Sequence, residues 1–114
     1  MKNLKEISKE LSIDINNNYN WLDREISFVI DGSYGAESER LNKTILESYD
    51  ISKPRRGKRG LNLIAQIGNL FIQKAYDCNS SQALNVWKYL SDEHKQILDN
   101  TVIDNLDSYI ESNK

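Results

Sequence analysis

Apolar residues recur along this chain at steps of three and four, the period of one face of an α-helix. Leu4, Ile7 and Leu11 open the pattern and predict a first amphipathic helix. Asn16-Asn17-Asn18 marks its end, because asparagine competes with the backbone for hydrogen bonds and favours turns and caps. Asn20 is the expected cap of a second helix through Trp21, Leu22, Ile26, Val29 and Ile30, with Gly32 as its stop. The β-branched stretch 26–30 has a short strand as its alternative, and the sequence leaves that choice open.

Ser33-Tyr34-Gly35 reads as a turn. A third helix follows from about residue 36 to 49, with Leu41, Ile45 and Tyr49 on one face. Residues 51–60 form the clearest loop, since Pro54 lacks a backbone donor and Gly57 and Gly60 loosen the chain. The fourth helix, from about 61 to 77, carries the widest apolar stripe: Leu61, Ile64, Ile67, Phe71, Ile72 and Ala75. Gly68 lies on the same stripe, and close approach of a neighbouring helix is the expected return for its cost to the helix. Cys78-Asn79-Ser80-Ser81 is a turn with capping residues. A fifth helix carries Ala83, Leu84, Trp87 and Leu90. A sixth starts at Ser91-Asp92-Glu93, with acids where the helix dipole favours them. Ile97, Leu98, Val102, Leu106 and Ile110 follow on it.

No internal repeat is evident. The expected architecture is all-α, five to six short helices packed as antiparallel hairpins. It is read as a single helical domain over residues 1–114, with an exposed basic loop at 52–60 and a frayed tail at 112–114.

Composition narrows the class without naming a function. The 114 residues are 39% apolar and 28% charged, a globular balance rather than a disordered one. One cysteine, Cys78, cannot form an internal disulfide and suits a reducing, cytoplasmic setting. The N-terminus lacks the apolar core of a signal peptide, and Asn62, Gln66, Asn69 and Gln73 interrupt the longest apolar run. No membrane association is expected.

The distribution of charge says more than its total of −2. Residues 1–52 carry six Lys/Arg against ten Asp/Glu, and residues 61–114 carry four against seven. Between them, Lys53, Arg55, Arg56, Lys58 and Arg59 form a basic knot with no acid. The knot has three open readings: a solvated loop, a contact for an acidic protein, or a contact for nucleic-acid phosphates. The acidic remainder would repel a duplex beyond the loop.

Catalytic constellations are missing from the pattern. His94 is the only histidine, and its position fits the polar first turn of a helix. One histidine and one cysteine cannot make a zinc site, and no Asp-rich calcium loop is present. Gly57-Lys58-Arg59-Gly60 lacks the spacing of a phosphate-binding loop. No catalytic residue, metal or cofactor is assigned. The candidate surface is acidic: Asp92, Glu93, Asp99, Asp104, Asp107 and Glu111 recur along the last helix. Such a face is either solvated or steers a basic partner. Tyr34, Tyr76 and Tyr89 fall near element ends, where a rigid aromatic can anchor a partner.

The run Ile26-Ser27-Phe28-Val29-Ile30-Asp31-Gly32-Ser33-Tyr34-Gly35-Ala36-Glu37 resembles a pattern in small bacterial immunity proteins. In those, a helix ends in a short Gly-Tyr-Gly-type turn and the next helix starts at once on a small residue. Ser33 stands where that family more often has an acid. The family includes partners of contact-dependent growth inhibition toxins and of related polymorphic toxins. The resemblance implies a cytoplasmic protein that binds one cognate toxin, often a nuclease with a basic cleft, and covers its active site. It carries over no interface residues.

The function expected is therefore non-enzymatic binding, with a cognate toxin or another basic protein as the partner. The rivals are a nucleic-acid-associated regulator that uses residues 53–59 and a phage-encoded inhibitor of a host defence complex. Oligomeric state is not legible.

Overall fold

Six α-helices and no strand make up the residues described by the computed structural model, 3–48 and 58–113. They are α1 (Leu4–Asn17), α2 (Tyr19–Asp31), α3 (Ala36–Ser48), α4 (Lys58–Tyr76), α5 (Ser80–Tyr89) and α6 (Asp92–Ser112). The fold is all-α and tightly packed, as the apolar period predicts. No described helix is long and apolar enough to cross a membrane.

Residues 26–30 are helical. Leu22, Ile26, Val29 and Ile30 all lie buried on one side of α2, at spacings of three and four. A strand would turn alternate side chains to opposite faces and split that set. Burial of a common apolar face thus outweighs the weak β-preference of the branched residues.

The helix ends explain several boundaries. Asn18, not Asn20, separates α1 from α2. Its backbone N–H donates to the Asp14 carbonyl at 2.8 Å, closing α1. Its side chain accepts from the Trp21 N–H at 3.2 Å, opening α2. Asn20 is thereby left inside the first turn. After α2, Gly32 takes φ +90°, and the Ser33 N–H reaches back to the Phe28 carbonyl. After α4, Asp77 adopts φ +51°, and the Cys78 N–H reaches the Gln73 carbonyl in the same way. Glycine takes this left-handed position easily, whereas other residues strain there. Asn79 and Gln82 form a reciprocal capping box at the start of α5.

α4 begins at Lys58, three residues ahead of its expected start at Leu61. Lys58, Arg59 and Gly60 therefore form its first turn instead of ending the loop. The other basic candidates, Lys53, Arg55 and Arg56, lie outside the described residues, as does Tyr49. At the far end, α6 runs through Ser112, and the Asn113 N–H donates to the Ile110 carbonyl.

α2 and α4 form the middle of the molecule. α2 packs against α1, α3, α4 and α6, with its broadest seam against α6. α4 packs against α2, α5 and α6, and only lightly against α3. Between them lies one apolar core that includes Ile7, Leu11, Ile26, Ile67, Phe71 and Leu106. Trp21 joins it from the edge, meeting Phe71 edge-on with ring centroids 6.0 Å apart.

Polar side chains tie the seams. Tyr19 OH and Thr101 Oγ1 share a hydrogen bond of 2.8 Å between α2 and α6. Farther along, Asn105 donates to Asp23 at 3.4 Å and accepts from the Ser27 hydroxyl. Tyr76 donates to Asp14 Oδ2 at 2.6 Å and joins the end of α4 to α1. Burial first, then that bond and the charges of Asp14 and Glu10, push the Tyr76 phenol far above its ordinary pKa.

Candidate partner-binding surface

Successive residues of an α-helix turn by about 100°, so sequence position fixes where each α6 carboxylate faces. Glu93, Asp104, Asp107 and Glu111 fall within an arc of about 60°, and Asp92 and Asp99 face roughly 100° away. The expected six-residue acidic face is therefore divided. Four residues make a stripe along the helix, opposite buried Leu98, Val102 and Leu106. Glu93, Asp104 and Glu111 are exposed and Asp107 is half-buried. Asp92 is exposed in the first turn, beside the cap where Ser91 Oγ accepts from the His94 N–H.

Asp23 of α2 extends the acidic region across the seam. Burial raises its pKa most, the Asn105 hydrogen bond opposes that, and the charge of Asp104 adds to it. The two carboxylates therefore feel one another across the α2–α6 seam.

Asp99 occupies a different setting. It borders a pocket of about 240 Å³ between α4, α5 and α6. Ile64, Ile72, Ala83 and Trp87 wall the pocket, and Gly68 forms part of it. No atom beyond the helix's own backbone and Gly68's chain neighbours lies within 4 Å of where a Gly68 side chain would start. The expected close helix contact at Gly68 is thus absent, and the glycine leaves space open. Burial pushes the Asp99 pKa up. Asp99 has no hydrogen bond or ion pair with any described residue.

A wider groove of about 700 Å³ lies where α3 sits lightly on α4. Arg40 and Thr44 line one side of it, and Gln66 and Gln73 the other. Glu37 of α3 and Lys74 of α4 approach to 3.8 Å between the same two helices. Both are solvent-accessible, so the pair adds little stability.

The remaining candidates are engaged locally. His94 Nε2 lies 3.1 Å from Asn16 Oδ1, fastening α6 to the end of α1. The Cys78 thiol donates to the Ile72 carbonyl at 3.7 Å. Burial, then the charge of Asp77, push its pKa up, away from the reactive thiolate. Tyr34 bonds to Glu25 and sets its ring edge-on to Phe28. Tyr89 alone of the three candidate anchors is open, at 55% exposure.

In the 26–37 segment, α2 ends at Asp31 with Gly32 as its left-handed cap, the chain turns through Tyr34 and Gly35, and α3 starts on Ala36. No family model, curated protein or solved structure matches the chain.

Proposed function

We propose that this chain is a non-enzymatic inhibitor that binds a basic protein and covers its active site, in the manner of a bacterial toxin-immunity protein. The observation that carries the reading is the carboxylate stripe of Glu93, Asp104, Asp107 and Glu111 along one side of α6. A row of like charge on a rigid helix, backed by a packed core, accelerates encounter with a basic surface and opposes acidic ones. The turn at residues 32–35 adds the family resemblance. A cytoplasmic setting, where the lone cysteine stays reduced, belongs to the same reading.

The test starts with capture of a partner on the immobilised protein, with and without nuclease. A stoichiometric protein that survives nuclease treatment and loses its own activity on binding supports the reading. The triple variant Glu93→Gln, Asp104→Asn, Asp107→Asn should then associate about tenfold more slowly at low salt, with a flatter salt dependence. An unchanged on-rate removes the stripe from the mechanism. Capture that vanishes with nuclease turns the reading toward nucleic acid and residues 53–59.

A further inference from the structure

Asp99 is the one carboxylate in a mostly apolar pocket. Asn69, the pocket's other polar side chain, is already committed. It donates to the Ser80 carbonyl at 3.1 Å and accepts from Gln73 at 2.6 Å. Asp99 has no such commitment among the described residues. A charge drawn into apolar surroundings is costly unless a partner charge accompanies it.

The dimensions limit what that partner can be. A volume of about 240 Å³ is below the ~300 Å³ at which drug-sized ligand sites begin. It suits one long side chain. An occupant must place aliphatic carbons against Ile64, Ile72 and Ala83 and bring a cation to Asp99. Guanidinium is more weakly hydrated than ammonium, forks onto carboxylates and stacks on aromatic faces such as Trp87.

We propose that this pocket receives one arginine side chain of a bound protein, its stem against Ile64, Ile72 and Ala83 and its guanidinium on Asp99. The proposal deepens the inhibitor reading and rests on it for the identity of the partner. The stripe attracts a basic surface from a distance, and the pocket selects one residue of it at contact.

Butylguanidinium is the probe, with butylurea as its neutral counterpart of like shape. Titration of the labelled full chain, followed by amide and Trp indole NMR shifts, should give shifts confined to residues around Gly68, Ala83 and Trp87. Butylurea should bind about tenfold more weakly, the ratio expected for one charge-assisted pair. Asp99→Asn should bring butylguanidinium down to the butylurea level. Gly68→Met should abolish binding by filling the space, and its NMR dispersion reports whether it folds. If it does not, Asp99→Asn carries the test alone. Equal binding of the two probes, an Asp99→Asn variant that keeps its affinity, shifts along the α6 stripe alone, or no shift at millimolar probe would each overturn the proposal. The titration needs no protein partner. A chain that takes butylguanidinium but captures no protein whose activity it blocks keeps the pocket and loses the inhibitor reading; a chain that captures such a protein and ignores the probe keeps the reading and loses the pocket.

Discussion

Asp99 and Asp104 lie little more than one helical turn apart on α6 and meet different surroundings. Asp104 is exposed, and its polar neighbours Asn100, Asp107 and Ser108 leave water around it. Asp99 borders Ile72, Ala83 and Trp87. The solvated charge acts over roughly 10 Å and fades with salt. The pocketed one acts only at contact, where the surrounding dielectric is lower and salt screens less. One residue type on one helix thus meets two electrostatic settings, and packing decides which.

The largest expected effect removes the support that both share. Leu98 is fully buried directly beside Asp99 in sequence. Leu98→Ala should cost about 2–5 kcal/mol in urea unfolding followed by circular dichroism. A loss well under 1 kcal/mol would mean that α6 is not the common frame of pocket and stripe.

Gly68 tests the pocket from the α4 side. Gly68→Ala should gain up to about 1 kcal/mol, because alanine favours helix and the new methyl meets open space. A destabilised variant would mean that the space is filled in solution.

Asp99→Asn separates the two settings by pH. The folded state holds the Asp99 proton to higher pH than the unfolded chain does, because burial raises its pKa. The stability linked to that proton is present at low pH and lost as pH rises through the folded pKa. Asp99→Asn should therefore raise the melting temperature near about pH 7 and leave it unchanged near about pH 3, below ordinary aspartate titration. A gain of equal size at both pH values would remove burial as its cause.

The smallest effect belongs to the stripe. Asp104→Asn and Glu111→Gln should each shift stability by no more than about 0.5 kcal/mol, as expected for surface substitutions. A larger change in melting temperature would show that the stripe is structural.

These contrasts were partly legible in the sequence. The period of three and four places α1, α2, α4 and α6 and most of the core, because burial of one helical face needs no tertiary detail. Gly32 is readable as a stop for the same local reason. Asn18 is harder, since three successive asparagines can all cap. The choice falls where Tyr19 reaches Thr101 across a seam that sequence does not display. Gly68 is ambiguous because a helical glycine serves close contact and open space equally, and only the positions of α5 and α6 distinguish them. Asp99 does carry a signal: it heads the series Val102, Leu106, Ile110 at steps of three, four and four. A carboxylate on an apolar stripe marks a half-buried charge, whereas Asp104 lies off that stripe.

The light seat of α3 on α4 also bears on how the molecule opens. α3 is held chiefly by Leu41 and Ile45 packing toward α2, and its buried Ser38 hydroxyl has no partner among the described residues. A segment with little buried area and an unsatisfied group is among the first to detach in local unfolding. Its amides should exchange with solvent hydrogen well before those of α2, whose release requires undoing its contacts with α1, α4 and α6. Helix α3 is therefore the part that can leave while the rest of the core stays closed.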